Sequence, residues 1–286
     1  MIKTKNILVD GELGKPIALD IFYSSVIKQQ PIVIYAHGFN GFKDWGNFDL
    51  IAEQFAAAGF FFIKFNFSHN GTTTNAPEDF VDLEAYGNNN YTKELADLQR
   101  VIDWALSKKN PANSFINPNN IFLVGHSRGG GIVLLKAAEE KRIKAVATWA
   151  SVAECKTPWG NWTPERIERW KETGVDYYTN SRTKQQLPLY YQLYEDYQAN
   201  KGRLDILKAT AKLSIPILIC HGTNDEAVAV EKAYQLKDSS QQVELFLVES
   251  DHVFGRKHPW TDTHLPQPMQ DVVDRTISFF KALNNF

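Results

Sequence analysis

One serine in this sequence stands where a buried strand turns directly into a helix. In NNIFLVGHSRGGGIVLLKAAEE, residues 119–140, an apolar run meets GHSRG and a helical pattern then begins at once. A turn this tight lifts Ser127 above the end of its strand, which is the arrangement that a nucleophilic serine requires. Gly125 and Gly129 occupy positions where a Cβ would meet a neighbouring strand or helix. A helix-capping serine in a glycine-rich turn is the alternative interpretation.

A serine hydroxyl becomes an effective nucleophile when a nearby base removes its proton. Of the seven histidines we select His252, because it follows the run VELFLVES and begins the loop before the last helix. Ligands of open α/β sheets bind beyond the carboxyl ends of the strands, and this loop lies at that edge. His258, on the same loop, is the second candidate. His126 should point away from the serine, and His37 and His221 suit supporting roles.

The base in turn needs a carboxylate that holds its tautomer and stabilises the protonated ring. Asp225 follows the strand-like run PILICHG and is our choice. Asp251 is adjacent to His252, and adjacent side chains diverge, whereas Glu226 is expected in the first turn of the next helix. The predicted set is therefore Ser127, Asp225 and His252, in the chain order of enzymes with a nucleophile elbow.

Acyl transfer also needs two N–H groups aimed at the developing oxyanion. We predict one at Arg128, directly after the nucleophile, and the other at Phe39 in HGFNG, which follows the run PIVIYA. An ordinary strand-to-loop turn is the alternative for HGFNG. The side chain of Arg128 could anchor an anionic substrate, but we expect it to turn away and to contribute its N–H alone.

These residues must be positioned by an alternation of strands and helices. Continuous apolar runs, typical of strands buried on both faces, occur at residues 31–38, 59–67, 120–125, 144–151, 216–222 and 243–250. Helical patterns such as TKELADLQRVIDWALSK separate them. The alternation predicts an α/β fold with a mainly parallel central sheet flanked by helices. Two N-terminal strands joined by GELGKP should add an antiparallel hairpin at the sheet edge.

Residues 152–212 interrupt this alternation. The stretch is rich in tryptophan and tyrosine and looks helical, with Pro164 near a helix start and Gly174 near a helix end. We therefore divide the chain into a core, residues 1–151 and 213–286, and a helical cap or lid, residues 152–212. An extra packing layer is the alternative interpretation of the aromatic insertion.

Composition limits the possible partners and location. The 286 residues carry 31 basic and 33 acidic side chains, a net charge of −2, with no basic block that would predict nucleic-acid binding. No run is long enough to span a membrane and the N-terminus does not resemble a signal peptide, so we predict a cytoplasmic protein. Cys155 and Cys220 are expected as reduced thiols, and no metal-ligand spacing occurs, so we expect neither metal nor cofactor.

The motifs HGFNG, GHSRGG, HGTNDEAV and DHVF, in this order, resemble those of α/β-hydrolase-fold serine hydrolases. They span nearly the whole chain, and the cap-like insertion stands where that family usually carries one. HGF in place of HGGG argues against the lipase branch. The chain is more similar to bacterial cytoplasmic esterases and acyl-peptidase-like hydrolases, including cinnamoyl and feruloyl esterases. The resemblance implies cleavage of small or medium carboxylic esters through an acyl-enzyme.

Other functions remain open at this stage. An aminopeptidase or acylaminoacyl peptidase would need a buried acidic pair near the serine, for which Glu78, Asp79, Asp82, Glu84 and Glu154 are available. A non-catalytic interaction protein on the same fold is a third possibility, and so is lyase or acyl-transfer chemistry. The expected partner is a small ester or a short peptide, and the chain is expected as a monomer or homodimer.

Overall fold

The computed structural model describes residues 1–283. In this part of the chain eight strands form one sheet, in the order β1-β2-β4-β3-β5-β6-β9-β10, while β7 and β8 form a separate hairpin. Strands β1 and β2 pair antiparallel to each other and β2 to β4, and all other neighbours in the large sheet are parallel. The strands are β1 (Ile2–Asp10), β2 (Pro16–Tyr23), β3 (Gln30–Ala36), β4 (Phe61–Phe65), β5 (Ile116–His126), β6 (Ile143–Trp149), β7 (Val175–Thr179), β8 (Gln186–Tyr190), β9 (Ile217–Gly222) and β10 (Val243–Val248).

Helices cover the sheet and connect its parallel strands. They are α1 (Phe48–Ala57), α2 (Leu83–Gly87), α3 (Tyr91–Leu106), α4 (Arg128–Glu139), α5 (Pro164–Thr173), α6 (Gln192–Ala199), α7 (Ile206–Lys212), α8 (Glu231–Ser239) and α9 (Gln267–Ala282). The predicted mainly parallel sheet with flanking helices and an N-terminal edge hairpin is confirmed. Glu226 lies before α8, so its predicted place in the first turn of that helix is wrong.

Two apolar layers lie on opposite faces of the sheet. Along β3, Ile32 and Ile34 pack with residues of α3 and α4, whereas Val33 and Tyr35 pack with residues of α1 and α9. Successive strand residues point to opposite faces, so a strand covered on both sides must be apolar at every position. This explains the continuous apolar runs, and it brings the carboxyl ends of β3, β5, β6, β9 and β10 to one edge.

The segment between β6 and β9 differs from the purely helical cap predicted for it. Pro164 begins α5, and Gly174, with φ +73°, ends that helix as expected, but the chain then enters the hairpin β7–β8. The strands read VDYYT and QLPLY, and aromatic and β-branched side chains suit a pleated, half-buried surface better than a helix. Trp170 is fully buried here, and its ring lies 5.1 Å from that of Trp162 and 5.4 Å from that of Tyr191. Much of the aromatic content of the insertion therefore packs in the interior, in the same apolar cluster as residues of α3 and α4.

Candidate active site

Ser127 occupies a strained turn between β5 and α4. Its backbone angles are φ 55° and ψ −120°, which a residue other than glycine keeps only when its surroundings impose them. The Ser127 N–H donates to the carbonyl oxygen of Trp149 (2.9 Å), and the Ser127 carbonyl accepts from the N–H of Gly130 (2.9 Å). Hydrogen bonds on both sides of the residue thus hold the serine at the carboxyl edge of the sheet.

The two glycines of the motif are required by close backbone contacts. A Cβ on Gly125 would lie 2.3 Å from the carbonyl oxygen of Gly129. A Cβ on Gly129 would lie 2.4 Å from the carbonyl oxygen of Ala36, at the end of β3. Real Cβ atoms do not approach backbone oxygens so closely, so the predicted need for glycine at both positions is confirmed.

Asp225 and His252 form a hydrogen-bonded pair beyond the ends of β9 and β10. His252 Nδ1 lies 2.7 Å from Asp225 Oδ2, while Asp225 Oδ1 accepts from the N–H groups of Ala227 (2.9 Å) and Val228 (2.8 Å). Burial opposes ionisation of Asp225, but hydrogen bonds from His221 and His252 outweigh it and hold the pKa of this carboxyl well below its usual range. Asp225 is therefore a fixed anion, and the bond to Nδ1 leaves Nε2 of His252 free to act as a base.

His221 supports the same carboxylate. Its Nε2 lies 3.3 Å from Asp225 Oδ2 and 2.8 Å from the carbonyl oxygen of Val228, and its side chain is fully buried. The predicted supporting role of His221 is confirmed by these contacts. The N–H of Val228 donates to Asp225, and the carbonyl oxygen of Val228 accepts from His221. These two bonds tie the loop after β9 to the end of that strand.

His126 and His258 both have partners other than Ser127. His126 Nε2 lies 2.9 Å from the main-chain oxygen of His252, and burial holds the pKa of His126 well below its usual range. The neutral ring of His126 therefore donates to the loop that carries His252. His258 accepts from the N–H of Gly46 through Nδ1 (3.1 Å), and its Nε2 lies 3.4 Å from Glu78. Both nitrogens of His258 are thus engaged with neighbours.

The two predicted N–H donors lie in the loop after β3 and at the start of α4. The N–H of Gly41 donates to the Gly38 carbonyl (3.0 Å), and this turn carries Phe39. Asn40 accepts a hydrogen bond from the hydroxyl of Tyr86, which fastens the loop to α2. Arg128 is the first residue of α4, and the first N–H groups of a helix have no partner within it. Phe39 and Ser127 line one common cavity.

The side chain of Arg128 turns away from the serine, as expected. Its Nε donates to Glu94 (2.9 Å), its Nη1 donates to the carbonyl oxygen of Thr157 (3.3 Å), and its guanidinium lies 3.9 Å from the ring centre of Tyr91. Burial opposes the charge, but the Glu94 carboxylate raises the pKa of Arg128. Arg128 thereby ties the start of α4 to α3 and to the insertion.

Ser127 and His252 line a cavity of about 1010 Å³ at the carboxyl edge of the sheet. In the part of the chain that the structure describes, no hydrogen bond joins the Ser127 hydroxyl to the His252 ring. Hydrogen bonds between a catalytic serine and its base are often long when no substrate is bound. The aromatic wall comes mainly from segments outside the insertion, which contributes Tyr178 only. Its members are Tyr35, Phe39, Phe42, Trp45, Phe80 and Tyr178. The aromatic-rich insertion itself supplies chiefly polar and small lining residues.

Possible metal ligands in the described chain come together at one place. Asp20, Asp44 and Asp49 have carboxylate oxygens within 4.8 Å of one another, and none of the three lines the cavity. Lys43 Nζ lies 2.8 Å from Asp20 and 2.6 Å from Asp44, and Lys64 contacts all three carboxylates. Lysine ammonium groups therefore already neutralise this cluster.

The described helices include none with the length and apolar content needed to cross a membrane.

The chain belongs to the α/β hydrolase family, whose sequence pattern matches residues 31–175. Solved structures share the fold over almost the entire chain. Est1E from Butyrivibrio proteoclasticus has a TM-score of 0.69 at 20% identity, covering 98% of this chain and 100% of its own, and it has also been solved with ferulic acid bound. The α/β hydrolase GrgF from a Penicillium species has a TM-score of 0.71 at 19% identity, with both chains covered completely. At these identities the likeness establishes the fold alone.

Curated relatives match a smaller part of the sequence. The quorum-quenching protein AidA of Acinetobacter baumannii is 29% identical over 116 residues, which are 41% of this chain and 34% of that protein. An uncharacterised 31.7 kDa protein of Escherichia coli is 26% identical over 147 residues, 46% of its length. The chain therefore spans between a third and a half of the curated relatives that it matches. The family and its esterase neighbours support a hydrolase.

Two contacts of the site were not predicted from the sequence. The hydrogen bond from His126 to the main chain of His252 depends on the path of the loop after β10, which no local pattern describes. The ion pair of Arg128 with Glu94 joins residues 34 positions apart. A glutamate within the apolar face of α3 was the available signal, because buried carboxylates are usually paired.

Proposed function

We propose that this chain is a serine hydrolase that cleaves carboxylic esters through an acyl-enzyme formed on Ser127. The observation that carries the proposal is the hydrogen bond between Asp225 and His252 (2.7 Å), because His252 lines the same cavity as Ser127. A strained serine, a histidine and a fixed carboxylate are the three groups that nucleophilic acyl transfer requires.

In the first half of the reaction, Ser127 Oγ attacks the ester carbonyl while His252 Nε2 accepts the hydroxyl proton. Asp225 stabilises the resulting imidazolium through Nδ1. The carbonyl electrons move onto the oxygen, which the N–H groups of Phe39 and Arg128 are proposed to hold. When the tetrahedral intermediate collapses, the ester C–O bond breaks and His252 gives its proton to the leaving alcohol.

In the second half, water attacks the acyl-serine. His252 takes one proton from the water, and a second tetrahedral intermediate forms at the same N–H donors. Collapse breaks the bond to Ser127 Oγ, and the proton returns from His252 to the serine. One ester and one water thus yield one acid and one alcohol, and no redox partner or metal is needed for the balance.

The aromatic residues that line the cavity support esters with an aromatic part. Phe42, Trp45 and Phe80 form an apolar surface in the wall that Ser127 also lines. Aromatic faces bind planar groups by stacking and edge contacts. We therefore propose that residues outside the insertion give the enzyme its preference for aromatic esters.

The charges of the cavity favour esters over peptides with a free amine. Recognition of an ammonium group needs unpaired carboxylates, but Glu154 already binds Lys156 (2.5 Å) and Lys232 (2.8 Å). Glu226, the other acidic lining residue, is exposed. These pairings leave the described wall without a buried acidic pair.

We also propose that residues 152–212 act as the lid of the core formed by residues 1–151 and 213–286. Thr157, Pro158 and Tyr178 of this segment line the cavity, so it contributes part of the enclosure around Ser127. A lid excludes water and orients the substrate, which strengthens the electrostatic contacts within the site.

The test is a panel of p-nitrophenyl acetate, p-nitrophenyl butyrate, methyl ferulate and an aminoacyl p-nitroanilide, assayed with wild type and two variants. Ser127→Ala should lower ester turnover by about 10⁴-fold or more, while Ser25→Ala, an exposed serine outside the cavity, should not change it. Anilide cleavage equal to or above ester turnover would favour a peptidase. Ester turnover that survives Ser127→Ala would refute the proposed nucleophile.

A further inference from the structure

The charged residues in the wall of the cavity are mainly cations. Five basic side chains line it, against two acidic ones: Lys156, Arg182, Lys232, Arg256 and Lys257, with Glu154 and Glu226. One of the two carboxylates, Glu154, is shared by two of the lysines. The wall around the serine therefore carries an excess of positive charge.

Arg256 differs from every other buried cation in the described residues. Lys43, Lys64, Arg128 and Lys136 each have a carboxylate oxygen within 4.0 Å. Arg256 is only 4% exposed, yet no carboxylate lies within that distance of it in residues 1–283. Buried charges are normally paired, because an isolated charge loses its hydration without compensation.

The protein contacts of Arg256 leave part of its guanidinium unused. Its Nε donates to the carbonyl oxygen of Val253 (3.2 Å), and the rings of Trp45 and Phe48 lie 5.3 Å from its central carbon. Its Nη1 is buried and has no hydrogen-bond partner within the described chain. Burial lowers the pKa of Arg256, although Tyr35 and Asp251 oppose this, and an arginine remains charged in proteins.

We propose that the ester substrate carries a carboxylate, which Arg256 binds as the missing counter-ion while Ser127 attacks the ester carbonyl. The inference rests on the proposed esterase function and specifies its substrate class. A guanidinium donates charge-assisted hydrogen bonds to a carboxylate, and Lys257, exposed next to it on the cavity wall, adds a second positive charge. The ring of Trp45 holds the guanidinium from one side.

Two matched pairs of esters test the proposal. Mono-p-nitrophenyl adipate and p-nitrophenyl heptanoate place a carboxylate or a methyl group at the end of the acyl chain. The second pair, 4-carboxyphenyl butyrate and phenyl butyrate, places a carboxylate or a hydrogen on the ring of the leaving alcohol. For one pair at least, wild type should prefer the anionic ester by roughly tenfold or more in kcat/KM, as expected for a charge-assisted hydrogen bond. Equal rates within both pairs would overturn the proposal.

Variants assign the preference to Arg256. Arg256→Met should bring the ratio of anionic to neutral ester close to one, chiefly through KM of the anionic ester. A general loss of activity cancels in this ratio.

Lys257→Gln, at an exposed position, should lower the ratio less than Arg256→Met does. Arg169→Met, an exposed arginine outside the cavity, is the matched control and should keep the wild-type ratio. A full preference retained in Arg256→Met would refute the assignment.

A binding measurement separates this inference from the proposed function. Calorimetry with the Ser127→Ala variant compares the binding of adipate with that of 1,6-hexanediol, its neutral counterpart. This measurement does not depend on turnover. Adipate should bind at least tenfold more tightly than the diol, and added Arg256→Met should remove the difference. If no ester is cleaved but adipate binds selectively, the esterase proposal fails and the anion site stands. If adipate and the diol bind alike, the anion site fails.

Discussion

His126 donates through Nε2 to the main-chain oxygen of His252 at 2.9 Å, so the residue before Ser127 holds the loop that carries His252. This contact links β5 directly to the segment after β10. It sets the position of the His252 backbone, while Asp225 sets the tautomer of its ring (2.7 Å). His126 is therefore a positioning residue in our account.

Loss of that contact should reduce the rate more than substrate binding. His126→Phe leaves the His252 carbonyl without its donor, and we expect kcat to fall by about 10–100-fold, with KM changed much less. His126→Gln retains a donor and should recover part of the loss. Steady-state kinetics on p-nitrophenyl butyrate would check this. Equal activity of the Phe and Gln variants would show that the hydrogen bond does not matter.

Asp225→Asn should lower kcat by roughly 10³–10⁴-fold, because an amide holds the wrong tautomer of His252 and cannot stabilise the imidazolium. Asp251→Asn is the matched control: Asp251 is exposed and adjacent to His252, and its Oδ1 accepts from the N–H groups of Val253 (3.2 Å) and Gly255 (2.8 Å). The control should retain most of the activity. A larger loss in Asp251→Asn than in Asp225→Asn would identify Asp251 as the orienting acid.

Gly125→Ala should destabilise the fold, since the added Cβ would lie 2.3 Å from the Gly129 carbonyl oxygen. We expect a loss of about 3 kcal/mol or more in the free energy of unfolding, at the upper end of overpacking effects. Gly202→Ala has open space around the new Cβ and serves as the control. Denaturant unfolding compares them, and a similar midpoint for both variants would contradict the close contact.

The buried carboxyl of Asp97 should make stability depend on pH. Burial raises the pKa of Asp97 to about 7, although the N–H of Ser68 donates to it (2.7 Å). Because this folded pKa exceeds the unfolded value of about 3.9, the stabilising contribution is complete below about pH 3.9 and is lost as pH rises through 7. Asp97→Asn should therefore gain stability relative to wild type as pH rises from 5 to 8, by about 2.5 kcal/mol, because only about two pKa units of the shift fall within this window.

The control for this pH effect is Asp238→Asn, at an exposed position on α8. Urea unfolding at pH 5, 6, 7 and 8 gives the difference in the free energy of unfolding between each variant and wild type. A difference for Asp97→Asn that stays constant over this range would mean that the carboxyl is already ionised at pH 5.

Trp45→Ala should weaken the proposed aromatic preference. Removing this ring takes an apolar face from the cavity wall, so KM for methyl ferulate should rise by about tenfold relative to KM for methyl butyrate. Trp162→Ala, in the packed aromatics of the insertion and outside the cavity wall, is the control. A parallel change for both esters would show that Trp45 does not contact the aromatic part.

The sequence predicts those parts of the fold that depend on local pattern and strand ends. The continuous apolar runs placed the parallel strands, and the residues directly after them placed Asp225 and His252 at one edge, where they lie 2.7 Å apart. The hairpin β7–β8 was missed because its strands carry the same aromatic residues as a helical cap would. The burial of Arg256 could not be predicted, because it depends on how the loop after β10 packs against Trp45.

The central claim is that Ser127 becomes covalently acylated, and trapping tests it most directly. The protein is treated with diisopropyl fluorophosphate, digested, and mapped by mass spectrometry, with Ser127→Ala as the control. We predict one equivalent of label on Ser127, with loss of ester hydrolysis in proportion to labelling and no label in the variant. Label on another residue, or full activity after labelling of Ser127, would contradict it.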